Sequence, residues 1–70
     1  MMALSETKAG ESYTVKWMFG LPGVLNFLRD RHMKEGSTVK VIQKLSGGVI
    51  VRAGNFRIAI DADTAKRIKV

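Results

Sequence analysis

Residues Val39 to Ile60 read VKVIQKLSGGVIVRAGNFRIAI and contain the clearest structural pattern in the chain. Three short segments rich in β-branched residues are separated by two glycine-containing breaks, a pattern typical of two consecutive hairpins. Gly54-Asn55 is a two-residue break with glycine first, as a type II′ turn prefers. Strand alternation around this turn predicts six side chains on the face that lines the core: Val49, Val51, Ala53, Phe56, Ile58 and Ile60.

The other face of the same hairpin carries basic residues. The Gly54-Asn55 turn sets Arg52 opposite Arg57, a like-charge pair that is tolerable only in solvent or against an anion. For the preceding hairpin we expect a three-residue loop, Ser46-Gly47-Gly48, that pairs Leu45 with Val49. That register also points Val41, Gln43 and Leu45 inward, although Gln43 is polar.

The chain before Val39 contains two similar turns and one helix. Lys8-Ala9-Gly10-Glu11 and Lys34-Glu35-Gly36-Ser37 each have glycine where a type II turn needs it. A strand over residues 12–17 follows the first turn, and alternation points Tyr13, Val15 and Trp17 inward. A second strand begins at residue 38.

Between these strands we predict a helix that opens near Pro22. Val24, Leu25, Leu28 and Arg31 recur at helical spacing. We expect the helix to end with His32 in a left-handed conformation, which places Leu28 and Met33 in the closing contact of a Schellman motif.

The C-terminal segment predicts a helical turn and a last strand. Asp61 can cap a turn that continues through Ala65. A short strand over residues 67–70 then points Ile68 and Val70 inward together with Ala65. The element order predicts a mainly β fold, a small barrel with one short helix after the first strand and a helical turn before the last. Its 70 residues suit one domain, 1–70.

Composition excludes several classes of function. The chain has no cysteine, so disulfides, thiolate zinc sites and cysteine nucleophiles are excluded. No apolar run has the roughly 18 residues of a membrane span, and no secretory signal is recognisable at the N-terminus. The net charge of +6 favours an anionic partner, such as nucleic acid, a lipid surface or an acidic protein face.

No catalytic or cofactor-binding set is recognisable, and we expect no enzyme activity. His32 is the only histidine, which is too few for a two-histidine iron site, so it is the sole and weak candidate ligand for a metal such as Fe2+. Asp61 and Asp63 lack the glycine and glutamate of a calcium loop. The segment from Gly20 to Gly23 lacks the Lys-Ser/Thr ending of a phosphate-binding loop.

The feature of the sequence that bears most on function is an excess of apolar residues around Trp17–Leu21. They could pack in the core or form an exposed patch, rimmed by arginines, that docks on a protein. Under the second interpretation the partner-binding surface comprises Trp17, Phe19, Leu21, Phe27, Arg29 and Arg31.

The layout resembles the family of ferrous iron transport protein A (FeoA). The resemblance rests on an ordered series of positions along nearly the whole chain: Leu4-Ser5 with Lys8-Ala9-Gly10-Glu11, Val15, Leu28, Met33 before Glu35-Gly36, Val39, Val41, Ile58-Ala59-Ile60, Ala65, Ile68 and Val70. The chain departs from the family at two positions, with His32 where glycine is usual and Arg31 where an apolar residue is usual.

The resemblance implies an SH3-like barrel in the cytoplasm. It also implies a non-enzymatic accessory protein that binds the cytosolic part of the membrane GTPase transporter FeoB and so lies at the inner membrane through that partner. Self-association remains open.

Two other functions stay open. One is nucleic-acid binding by a basic stripe of Lys40, Lys44, Arg52 and Arg57, with Tyr13 or Trp17 as a stacking platform. The other is a module that responds to a transition metal, because related domains form the C-terminal part of iron-dependent repressors.

Overall fold

A computed structural model describes residues 1–70 and contains two antiparallel sheets. The first sheet has the strand order β1-β3-β4-β5, and the second pairs β2 with β6. The elements in chain order are a 3-10 helix Leu4–Glu6, β1 Ser12–Thr14, β2 Trp17–Met18, α1 Pro22–Asp30, β3 Thr38–Leu45, β4 Gly48–Ala53, β5 Phe56–Asp61, α2 Ala62–Lys66 and β6 Ile68–Lys69.

The β4–β5 hairpin has the predicted register. Gly54 has a φ of 57° and begins the turn, as a type II′ turn requires. Val51 faces Ile58 and Val49 faces Ile60, while Arg52 lies opposite Arg57 on the other side. One part of the prediction is wrong: Phe56 is exposed, because it lies next to the turn, where the sheet no longer covers it.

The predicted β3–β4 register is wrong. Leu45 faces Gly48 instead of Val49, so the turn has two residues instead of three. The register then shifts between Val41 and Gln43, which restores the core pairing of Val41 with Val51. Because of this bulge, Gln43 and Leu45 point away from the core, and the polar misfit of the predicted register does not arise.

The predicted strand over residues 12–17 is two strands in two different sheets. β1 pairs with β3, whereas β2 pairs with β6. At the junction the Val15 amide donates to Ser37, and the Lys16 amide donates to Lys69. The change of sheet interrupts the two-residue period, so Val15 and Met18 are buried and Trp17 is exposed, contrary to the predicted inward direction of Trp17.

Helix α1 ends in the predicted Schellman motif. His32 has a φ of 66°, its amide donates to Arg29, and the Met33 amide donates to Leu28. Leu28 and Met33 are both buried, as predicted. Val24 is an exception to the predicted apolar stripe, because it lies at the exposed edge of the helix.

The remaining elements close around one core. The side chain of Asp61 accepts a hydrogen bond from the Thr64 amide and caps α2, as predicted. Ala65, Ile68 and Val70 are buried, although the last strand covers only Ile68–Lys69. Neither helix has the length and apolar character needed to traverse a bilayer. The buried cluster draws side chains from every element except β1, whose half-buried Tyr13 packs against it.

Candidate functional site: an aromatic patch and a cationic row

Five exposed apolar side chains follow one another from β2 into α1. They are called the aromatic patch here and comprise Trp17, Phe19, Leu21, Val24 and Phe27. The rings of Trp17 and Phe19 stack with their centroids 4.9 Å apart. Leu21 is 73% exposed, the most of the five. A stacked aromatic pair beside an open leucine is unusual on the surface of so small a protein.

The backbone holds this patch in place from two sides. The Phe19 amide donates to the Arg67 carbonyl, which extends the β2–β6 pairing by one step. Leu21, Val24 and Phe27 are spaced by three residues, so the helical geometry stacks them along one face. A depression of about 70 Å³ lies between the end of β2 and α2, lined by Phe19, Gly20, Leu21, Val24, Thr64 and Arg67.

The two arginines of the predicted surface, Arg29 and Arg31, differ in their contacts. The Arg31 guanidinium lies 3.6 Å from the centroid of the Phe27 ring, and it donates a hydrogen bond to the Phe27 carbonyl. This cation–π contact fixes the ring and leaves much of its surface open.

Arg29, by contrast, forms an ion pair with Glu35 at 3.2 Å. The backbone amide of Glu35 and then the Arg29 guanidinium lower the pKa of the Glu35 carboxyl by hydrogen bonding. Of the two predicted arginines, only Arg31 contacts a patch aromatic ring.

A second surface lies on the outer face of the four-stranded sheet. Lys40 faces Arg52, and Arg52 faces Arg57 on its other side. These three exposed side chains are called the cationic row. Lys44 does not belong to it, because its ammonium group donates to the Ser5 and Thr7 carbonyls instead.

The two aromatic residues predicted to accompany the basic stripe lie elsewhere. Tyr13 faces Val39 on the core side of the sheet, and its hydroxyl donates to Glu11. Trp17 belongs to the other sheet, where its indole donates to the Met1 sulfur.

No metal centre assembles in the structure. His32 packs its ring against Phe56 with the centroids 5.4 Å apart. Nowhere do three or more His, Asp or Glu side chains gather as a metal would require.

The sequence interpretation missed two residues of this surface: Val24 in the aromatic patch and Arg67 in the adjoining depression. Val24 is one helical turn from both Leu21 and Phe27, and this spacing could have identified it. Arg67 reaches the depression from the C-terminal segment. No local pattern links that segment to α1, so only the tertiary structure identifies Arg67.

Comparison with solved structures places the fold among SH3-like proteins. The solution structure of the FeoA protein from Chlorobium tepidum matches with a TM-score of 0.89 and 26% identity, covering 97% of this chain and 67% of that one. The zinc-complexed FeoA of Stenotrophomonas maltophilia, described as a prokaryotic SH3 domain protein, matches with a TM-score of 0.80 and 25% identity, over 100% of this chain and 89% of that one.

More distant similarity extends to a metal-dependent repressor. A manganese-dependent transcriptional repressor matches with a TM-score of 0.81 but 17% identity, over 94% of this chain and 38% of that one, which shows a shared fold. No curated protein sequence matches the chain. The FeoA domain model matches residues 2–70. Because that match covers nearly every residue, the chain belongs to the FeoA family.

Proposed function

We propose that this protein is a cytoplasmic accessory factor of ferrous iron uptake that binds the cytosolic part of the transporter FeoB through the aromatic patch. The observation that carries the proposal is the stacked Trp17–Phe19 pair, which continues into the exposed helix stripe of Leu21, Val24 and Phe27. Among its relatives, one FeoA is described as an iron uptake regulatory protein, which agrees with a regulatory rather than enzymatic role.

Exposed aromatic residues suit protein recognition for an energetic reason. Burial of an exposed ring at an interface removes apolar surface from water. This stabilises the complex by about 25 cal/mol for each Å² of apolar surface buried. Aromatic and arginine side chains are the usual anchors of such interfaces. The stacking of Trp17 on Phe19 and of Arg31 on Phe27 reduces the side-chain entropy that binding would cost.

The charge around the patch indicates the kind of surface that would bind it. Arg31 contacts Phe27, and Arg67 lines the depression beside Phe19. No acidic side chain lines that depression. A complementary partner surface would therefore present apolar side chains flanked by carboxylates.

The proposal is tested by NMR titration of the labelled protein with the cytosolic domain of FeoB. We expect the largest shift changes at Trp17, Phe19 and Leu21. Phe19→Ala should weaken binding by about 2 kcal/mol, or roughly thirtyfold, as loss of an interface anchor does. Arg31→Glu should weaken it further by charge repulsion.

Leu45→Ala provides the matched control. Leu45 is an exposed apolar residue at the β3–β4 turn, outside the patch, so its removal should leave the affinity unchanged. Unchanged affinity in both Phe19→Ala and Arg31→Glu, with the fold intact by circular dichroism, would remove this surface from consideration.

The nucleic-acid alternative makes a different prediction about salt. Binding of phosphates releases counterions, so the affinity would fall steeply as salt increases. Association through the aromatic patch should depend weakly on salt because most of its energy comes from apolar burial. A titration with a short oligonucleotide at two salt concentrations separates the two functions.

A further inference from the structure

The cationic row is a straight line of positive charge across the four-stranded sheet. The register places Lys40, Arg52 and Arg57 directly side by side on neighbouring strands. Such neighbours have Cβ atoms about 5 Å apart. All three side chains are exposed, since Val41, Val51 and Ile58 occupy the alternating positions that face the core.

Nothing in the protein neutralises the row. The only salt bridge of the structure joins Arg29 to Glu35, and neither residue belongs to these strands. The acidic residue on the same sheet face is Asp61, which is engaged with Thr64 at the start of α2. Like charges directly opposite on adjacent strands destabilise a sheet. The row is therefore an unfavourable arrangement that an external anion would relieve.

The residues around the cationic row indicate which class of anion it would bind. Beside it, the same face carries Ile50 between Gln43 and Ala59, and then the exposed Leu45. No aromatic side chain lies on this face, because Tyr13 and Phe56 are paired with the core-side residues Val39 and Ala53. A single-stranded nucleic acid would find no platform for base stacking. A cationic line beside uncharged, mainly aliphatic residues instead suits the headgroup region of a bilayer.

We propose that this outer face, centred on Lys40, Arg52 and Arg57, binds the surface of anionic phospholipid bilayers. Each basic residue near an anionic leaflet raises the partition coefficient about fivefold, so three together contribute about a hundredfold. The attachment is peripheral and is independent of the aromatic patch, so it does not rest on the proposed binding to FeoB.

The test is cosedimentation with vesicles made of equal parts phosphatidylglycerol and phosphatidylcholine, compared with vesicles of phosphatidylcholine alone. We expect binding to the anionic vesicles only, weakening as salt increases. Arg52→Glu should reduce the partition coefficient at least about tenfold, because it replaces the central charge of the row with its opposite. The Tm of this variant should be unchanged or raised, because the new carboxylate lies between two cations.

Lys34→Glu is the matched control. It makes the same change in net charge in the turn before β3, where the Lys34 side chain has no hydrogen-bond partner. It should retain the partition coefficient within about twofold. Equal loss in both variants, or equal binding to the two kinds of vesicle, would overturn the proposal. Arg52-dependent binding of a short oligonucleotide without vesicle binding would overturn it in favour of nucleic acid.

Discussion

At the scale of single residues, two backbone positions are under unusual constraint. His32 is the only non-glycine residue with a positive φ. A side chain in the left-handed region costs about 1 kcal/mol relative to glycine. The Schellman hydrogen bonds at the end of α1 hold His32 there, and its ring packs on Phe56.

Replacement of His32 by glycine should therefore stabilise the protein. We expect His32→Gly to raise the free energy of unfolding by a few tenths to about 1 kcal/mol, because glycine adopts this conformation without strain. Thermal unfolding followed by circular dichroism measures the change. A lower Tm would show that the contact between His32 and Phe56 outweighs the backbone strain.

At Gly48 a larger residue is excluded by lack of space for a side chain, and not by the backbone φ angle. A Cβ atom built on Gly48 would overlap the backbone carbonyl oxygen of Ile60, which cannot move without breaking the β4–β5 pairing. Gly48→Ala should cost at least about 2 kcal/mol. Gly47→Ala, in the turn that precedes Gly48, is the control, because a Cβ there meets no atom within 4 Å. Equal unfolding midpoints in urea for the two variants would contradict this account.

At the scale of elements, short segments are stable because side chains tie their ends to neighbours. The 3-10 helix Leu4–Glu6 is held by Lys44 of β3, whose ammonium group lies 2.8 Å from the Ser5 carbonyl oxygen and 2.6 Å from that of Thr7. Helix α2 has five residues and depends on its Asp61 cap. Helices this short do not form without such contacts.

Removal of the Lys44 ammonium group should loosen the N-terminal segment. Lys44→Met keeps the length of the side chain but leaves the two carbonyls without their charged donor, at a cost of about 1 kcal/mol. Amide hydrogen exchange of Thr7, whose N–H bonds to Leu4, should accelerate. Lys40→Met, which removes a lysine without hydrogen bonds from the same strand, should leave that exchange rate unchanged.

The Asp61 cap should make stability depend on pH in the acid range. Hydrogen bonding from Thr64, first through its hydroxyl, lowers the pKa of the Asp61 carboxyl. Since the folded pKa lies below the unfolded value of about 4, the contribution is complete above that pH and is lost as pH falls through the folded pKa. Asp61→Asn should flatten this part of the profile, measured by thermal unfolding between pH 6 and pH 2. An unchanged slope would assign the acid sensitivity to other carboxyls.

At the scale of the whole molecule, one core serves every element. The two chain ends meet through reciprocal hydrogen bonds between Met2 and Val70, and Ala3 bridges to Lys69 beside β6. Strand β6 therefore lies between β2 and the N-terminal residues. The fully buried Leu4 and Leu28 join the same cluster although they lie in different helices. A chain this short has no second core to compensate for a defect.

Loss of one core anchor should consequently affect the entire fold. Leu4→Ala should cost about 3 kcal/mol, similar to Leu28→Ala, because each leaves a cavity in the shared core. That is a large part of the total stability expected for a small domain. Chemical denaturation should show a single cooperative transition at a lower midpoint for both variants. A Leu4→Ala midpoint close to that of the unmodified protein would show that the N-terminal segment is dispensable.

Features that depend on residues close together in the chain could be predicted from the sequence. The β4–β5 register follows from a glycine-first turn and strict alternation on both sides of it. The Schellman ending of α1 follows from the spacing of Leu28, His32 and Met33, and the cap of α2 from Asp61. In each case the interacting residues are close in the chain, so their spacing already specifies their geometry.

Features that depend on segments far apart in the chain became visible only in the folded protein. The bulge between Val41 and Gln43 arises because the core accepts Val41 opposite Val51 and rejects Gln43. The break after Thr14 arises because the chain changes from a β3 partner to a β6 partner. For the same reason, Arg67 lies beside the aromatic patch, and Lys44 is not part of the cationic row. Each of these features results from competition among long-range contacts. The energies of such contacts cannot be inferred from the local sequence pattern.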